Sequence, residues 1–157
     1  MSNPTVYFFH GLESGPIGTK SKRLMEEFDV DSPDFEGMMD IDERLDKAER
    51  ITRGETDMIV VGSSFGGLLA ALLYAKHPER FRTYVLMAPA LYLDAAESVD
   101  KMPPGAVVIH GVDDEVVPID QVRTFCKDFD MEFVEVDDGH RLHGALELMV
   151  DKVREKM

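Results

Sequence analysis

Apolar residues along the chain fall into short β-branched runs that alternate with longer stretches of helical spacing. Thr5-Val-Tyr-Phe-Phe9 is a buried-strand pattern that stops at His10-Gly11, and a loop rich in Gly, Pro and Ser follows from Leu12 to Gly18. Thr19 to Phe28 predicts a helix with Leu24, Met25 and Phe28 on one face. Val30 to Met39 is ambiguous: a short strand fits Val30 to Phe35, and Pro33 argues against it. Asp40 to Arg53 predicts a helix, because Ile41, Leu45, Ala48 and Ile51 form an apolar stripe amid charges and Gly54 stands where a helix-terminating glycine belongs. Met58 to Val61 reads as a strand and Gly67 to Lys76 as a helix that Pro78 ends.

The second half repeats the rhythm. Phe81 to Ala88 holds the strand Tyr84-Val-Leu-Met87, and a weakly helical segment, Asp94 to Val99, leads to the break Pro103-Pro104-Gly105. Ala106-Val-Val-Ile109 is a strand stopping at His110-Gly111, and Ile119 to Phe129 is a helix opening after Pro118. Met131 to Val136 alternates apolar and polar residues, as an outer strand does, and Gly144 to Met157 is a helix whose face is Leu146, Met149, Val150 and Val153. Strands and helices in this alternation imply right-handed crossovers. The expected fold is α/β, a doubly wound, mainly parallel sheet flanked by helices, in one domain over residues 1–157.

Composition narrows the partners. With 44% apolar and 31% charged residues the chain has the balance of a soluble globular protein, and its formal charge of −14 repels nucleic acid and anionic membranes. Cys126 is the only cysteine, so neither an internal disulfide nor a cysteine-based zinc site is available. Met1-Ser-Asn-Pro-Thr5 lacks the basic flank and apolar core of a signal peptide, and no apolar run approaches a membrane span; the cytoplasm is the expected location. The five histidines and 31 acids show no metal-ligand spacing such as H-x-x-x-H. Ten methionines read as core packing, and Lys20 and Arg23 as solvated. Nothing sets an oligomeric state.

Chemistry enters at the strand ends. Gly62-Ser63-Ser64-Phe65-Gly66 lies between a strand and a helix, and reads as a G-x-S-x-G nucleophile elbow centred on Ser64. A serine at the tip of so tight a turn has a strained backbone, and side chains two residues away on either side would collide. Centring on Ser63 would require glycine at Val61 and Phe65. In an open parallel sheet the loops at the carboxyl ends of the strands share one edge. Two later loops there carry reactive groups. After Ile109, Asp113 and Asp114 are both able to orient a histidine, or simply to make a turn. After Val136, His140 is either a base leaning over the elbow or a solvated loop residue. The order serine, aspartate, histidine, each at a strand end, favours the first reading of both.

Together these motifs resemble the α/β-hydrolase superfamily, in particular the small cap-less esterases of the YqiA type. Tyr7 to Pro16 with Lys20 is similar to that group's opening motif, Gly62 to Gly67 to its elbow, and Asp138-Gly-His140 to its histidine loop. The superfamily pattern H-G-x-x-D-x-x-V-P, laid on His110 to Pro118, selects Asp114 over Asp113. The resemblance implies a triad of Ser64, Asp114 and His140, with His143 a weaker competitor for the base. It also implies an oxyanion hole from the backbone N–H groups of Leu12 and Phe65. His10 and His110, each just after a strand, read as supports for the oxyanion and acid loops, and no cofactor or metal is expected. His77, before Pro78, fits a capping role. Only Ala88 to Gly105 separates the strands between which larger relatives insert a lid, so no cap is expected; Pro89, Leu91 and Tyr92 are candidates for the apolar wall of an open site. The implied activity is hydrolysis of small-molecule esters or thioesters of short acyl chains. The alternatives are a non-catalytic binding module and the same triad acting on a peptide or carbon–carbon bond.

Overall fold

Six β-branched and aromatic runs pair in a single sheet. They are β1 (Thr5–Phe9), β2 (Val30–Asp31), β3 (Met58–Ser63), β4 (Phe81–Met87), β5 (Val107–Gly111) and β6 (Glu132–Val136). The structure, a computed structural model, describes residues 3–157; Met1 and Ser2, part of the stretch read as lacking a signal peptide, lie outside it. Every pairing is parallel, in the order β2-β1-β3-β4-β5-β6. Central strands β3 and β4 are nearly continuous in buried residues, as a sheet covered on both faces requires. Edge strand β6 does not keep the expected alternation: Phe133 packs on one face and Val134 and Val136 on the other, and the exposed Glu132 and Glu135, three residues apart, lie on opposite sides.

Five helices cover the two faces: α1 (Thr19–Glu27), α2 (Ile41–Ile51), α3 (Phe65–Lys76), α4 (Ile119–Asp128) and α5 (Leu146–Lys156). On one face α2, α3 and α4 pack over Phe9, Val60, Tyr84 and Val108; on the other, Leu24 of α1 and Met149, Val150 and Val153 of α5 pack over Val6, Ile59, Val85 and Val107. Helix α3 has no polar face because it has no solvent face. Its residues Phe65 to Tyr74 are all buried between the sheet and a layer formed by α2 and the 3-10 turn Asp94–Ser98. Each buried leucine there contributes about 1.5–3 kcal/mol of transfer free energy. Asp40 caps α2 by accepting from the Asp42 N–H at 2.9 Å, which is worth about 1 kcal/mol.

Several expectations shift in detail. The strand expected near Val30 is two residues long, because Pro33 follows and β2 is an edge. Met25 is 37% exposed; Ser21, not Met25, joins Leu24 in the buried face of α1. The apolar stripe of α2 is rotated: Ile51 is exposed, whereas Arg44, Ala48 and Thr52, four residues apart, are buried. Arg23, expected to be solvated, grips Glu147 with Nε and a terminal nitrogen at 2.7 and 2.9 Å, tying α1 to α5. The methionines divide: Met58, Met87 and Met149 are fully buried, and Met39 is 62% exposed. The segment between β4 and β5 holds the 3-10 turn packed on α3 rather than a lid. Among the described residues no helix is long and apolar enough to cross a membrane.

Candidate active site

The chain leaves β1 in one direction to form β2, then returns to the other side of β1 for β3. This reversal opens a crevice at the carboxyl ends of β1 and β3, the place where open parallel sheets bind ligands. Ser64 stands there, between β3 and α3, with φ 55° and ψ −114°. Such angles are costly for a residue with a Cβ, and the turn is held at both ends. The Ser64 N–H donates to Met87 O at 2.9 Å, and Ser64 O accepts from Ala90 N at 2.9 Å. The two flanking glycines are required by close approach. A Cβ on Gly62 would lie 2.6 Å from Gly66 O, within the elbow itself. A Cβ on Gly66 would lie 2.0 Å from Phe9 O, so this glycine lets α3 sit against the end of β1.

Two further loops reach the serine. His140, beyond β6, brings Nε2 to 3.0 Å from Ser64 Oγ and Nδ1 to 2.7 Å from Asp114 Oδ2. Asp114, beyond β5, has a fully buried side chain, whereas Asp113 is exposed. Both expected behaviours of the aspartate pair hold at once: Oδ1 of Asp114 makes the turn, accepting from Val116 and Val117 N–H at 2.8 Å each, and Oδ2 faces the histidine. The two loops are joined by backbone bonds, Val112 N to Val136 O at 2.9 Å and Asp113 N to Asp138 O at 3.1 Å. His110, fully buried, directs Nε2 to Val117 O at 3.0 Å and to Asp114 Oδ2 at 3.2 Å. Burial lowers its pKa, so it sits under the carboxylate as a neutral donor. His143 is exposed at the cavity rim and His140 alone meets the serine.

The loop after β1 supplies the opposite side. Gly11 approaches the nucleophile closely enough that a Cβ on it would lie 3.5 Å from that of Ser64. Gly11 N–H is taken by Ser14 Oγ at 3.1 Å, while the N–H groups of Leu12 and Phe65 have no acceptor among the described residues. Phe65 is the first residue of α3, so its N–H is free for the reason every helix start leaves donors free. His10 holds the loop as expected: Nε2 accepts from Phe35 N–H at 2.8 Å, which puts the proton on Nδ1 for Gly11 O at 2.7 Å.

Arg44 is the residue that the sequence pattern did not single out. Its fully buried guanidinium donates to Met38 O at 2.7 Å, His10 O at 2.8 Å and Gly11 O at 3.1 Å. It lies 5.5 and 5.0 Å from the ring centres of Phe35 and Phe65, a cation between two aromatic faces. Desolvation pushes its pKa down to about 10, which leaves it charged at neutral pH. The place of Arg44 four residues before Ala48, on the buried side of α2, was the available signal.

These groups open on a cavity of about 550 Å³. Ser64, His140, Leu12 and Phe65 line it. Of the three residues expected to form its apolar wall, Tyr92 does so. Pro89 instead packs against Gly67, and Leu91 is buried beneath a separate, smaller depression; Ala90 and Leu93 take their places in the lining. His77 caps α3 and turns its ring to Glu49 at 3.1 Å.

The fold and the arrangement of its loops are those of the α/β-hydrolases. More narrowly, the chain belongs to the family described as serine aminopeptidase, S33, which matches residues 28–124, a span that includes Ser64 and Asp114 and stops before His140. Among solved structures, a protein from Xanthomonas campestris pv. campestris assigned to the hydrolases of the alpha/beta superfamily is 26% identical, with a TM-score of 0.84 over 99% of this chain and 97% of its own. Est1E from Butyrivibrio proteoclasticus (19% identity, TM-score 0.79, 97% and 86% covered) and the monoacylglycerol lipase of Paleococcus ferrophilus (15%, 0.75, 97% and 94%) share the fold. No curated protein matches the sequence.

Proposed function

We propose that the protein is a serine hydrolase that cleaves short-chain carboxylic esters or thioesters through an acyl-enzyme. The observation that carries the reading is the unbroken line from Ser64 Oγ through His140 to Asp114, at 3.0 and 2.7 Å, on the wall of an open cavity. With Nδ1–H given to Asp114, Nε2 of His140 is free to take the serine proton. Ser64 Oγ then bonds to the acyl carbon, and the carbonyl electrons move onto an oxyanion beside the free N–H groups of Leu12 and Phe65. Loss of one such donor costs about 3 kcal/mol of transition-state stabilisation. As the intermediate collapses, the bond to the departing oxygen or sulfur breaks and His140 protonates the leaving atom. Water, activated by the same imidazole, releases the acid and restores Ser64.

The absence of a lid between β4 and β5 supports a short acyl group, since a long chain would be left in water. The test is labelling by a fluorophosphonate probe, wild type beside Ser64→Ala, followed by an acyl-length series of 4-nitrophenyl esters. Labelling of the wild type alone, with rates falling as the chain lengthens, is the expected result. Equal hydrolysis by folded Ser64→Ala defeats the assignment. The family description favours a second reading, removal of amino-terminal residues from peptides. A peptidase of that kind must hold a substrate ammonium, and the cavity lining offers one carboxylate, Glu13, for it. Aminoacyl 4-nitroanilides in the same assay separate the two.

A further inference from the structure

In acyl transfer the base fixes the side on which the leaving group departs, because His140 must hand its proton to the leaving atom. The alcohol or thiol half therefore lies beside His140 and the residues that follow it. Those residues are basic. Arg141 and His143 line the cavity, and Lys20, in the first turn of α1, joins them by donating from Nζ to Arg141 O at 2.7 Å. That bond uses one of the three donors of the ammonium group. Among the described residues no carboxylate comes within ion-pair distance of Lys20 or Arg141. Asp138 attracts the Lys20 amine from farther away, but its two oxygens are occupied by the N–H groups of Gly139 and Gly144 at 2.8 and 2.9 Å. Desolvation pulls the amine's pKa down, and the more distant Asp138 only partly opposes it.

The contrast with the rest of the molecule is sharp. Over the whole chain acids outnumber Lys and Arg by 31 to 17, yet the cavity lining holds Lys20 and Arg141 against the single carboxylate of Glu13. Much of the apolar lining, Ala90, Tyr92, Leu93 and Val116, comes from the loops after β4 and β5, with Leu12 and Phe65 beside the serine. The cavity thus offers apolar surface for an acyl group and basic groups where the other half departs.

We infer that the leaving group of the natural substrate carries an anionic group, a carboxylate or a phosphate, received by Lys20 and Arg141. This rests on the hydrolase reading above. Three aryl acetates test it: 4-acetoxybenzoate, its methyl ester, and 4-acetoxyphenyl phosphate, each rate divided by its hydroxide-catalysed rate to remove intrinsic reactivity. The expected result is a corrected kcat/KM for one or both charged esters about fivefold or more above the neutral ester. The charged-to-neutral ratio should fall toward one in Lys20→Met and Arg141→Gln, and also on adding salt to the wild type. Which charged ester gains more separates carboxylate from phosphate. A ratio of one or below, or a ratio that neither variant moves, overturns the inference and leaves the hydrolase reading standing. No turnover of any ester beyond that of Ser64→Ala removes both.

Discussion

Arg44 ties the packing of α2 to the chemistry of the loop after β1, and replacing it with methionine measures both. The carbonyls of His10, Gly11 and Met38 each lose the guanidinium donor, although Gly11 O keeps the Nδ1–H of His10. Each orphaned carbonyl costs about 1–3 kcal/mol. The lost attraction to Phe35 and Phe65 adds about 1 kcal/mol. Against this, the fold no longer buries a guanidinium with no carboxylate partner, which returns several kcal/mol. The balance is a destabilisation of about 2–4 kcal/mol, read by urea denaturation. The kinetic effect is more specific. Gly11 O and the Leu12 N–H belong to one peptide, so loosening its carbonyl end loosens the donor proposed for the oxyanion. We expect kcat to fall by about 100-fold or more, with KM little changed. Arg44→Lys should rescue little, because one ammonium does not span three carbonyls. Unchanged kcat in a variant destabilised by the amount above would show that the guanidinium serves packing alone. Stability within about 0.5 kcal/mol of wild type would refute the energetic argument as well.

Two further outcomes follow from the same geometry. Gly66→Ala places a Cβ 2.0 Å from Phe9 O, backbone against backbone, so α3 must withdraw from β1; melting temperature and ester hydrolysis should both drop. His10 and His110 both have pKa values lowered by burial from the usual 6.5, so the unfolded chain binds more protons than the folded one as pH falls. Their contribution to stability is therefore intact above pH 6.5 and is lost progressively below it, by up to about 1.4 kcal/mol per pH unit for each, until the folded-state values are reached. Denaturation midpoints between pH 8 and pH 5 check this, and a flat profile would contradict the burial of the two rings.

Most of the fold was legible because the sheet is covered on both faces. Buried parallel strands need continuous apolar runs, and β1, β3, β4 and β5 are written as such. The elbow was legible for a steric reason, since no residue but glycine fits at Gly62 or Gly66. Where legibility failed, the deciding partner was distant in sequence. Arg44 looked like one more charge on α2, because two of the three carbonyls it serves belong to a loop over 30 residues earlier. Lys20 looked solvated because its acceptor is 121 residues away. Pro89 and Leu91 were expected at the cavity from their position after β4, but the bond from Ala90 N to Ser64 O turns that loop so that Ala90 faces the site and its neighbours face inward. Periodicity says which residues avoid water; it does not say which loop backbone a buried cation will find.

The separation of the site's members along the chain has a consequence for how the protein comes into being. Ser64 and His140 are 76 residues apart, and Asp114 and His140 are 26 apart. The elbow belongs to an early βα unit, whereas its proposed base waits on the last strand and the loop that precedes α5. During synthesis the strained serine is complete long before the imidazole proposed to activate it has left the ribosome. A nascent or partly folded chain thus carries a chemically silent alcohol. In the proposed mechanism reactivity switches on only when the loop after β6 carries His140 back across the 76 residues that separate it from Ser64, a non-local contact and so a slow one to form.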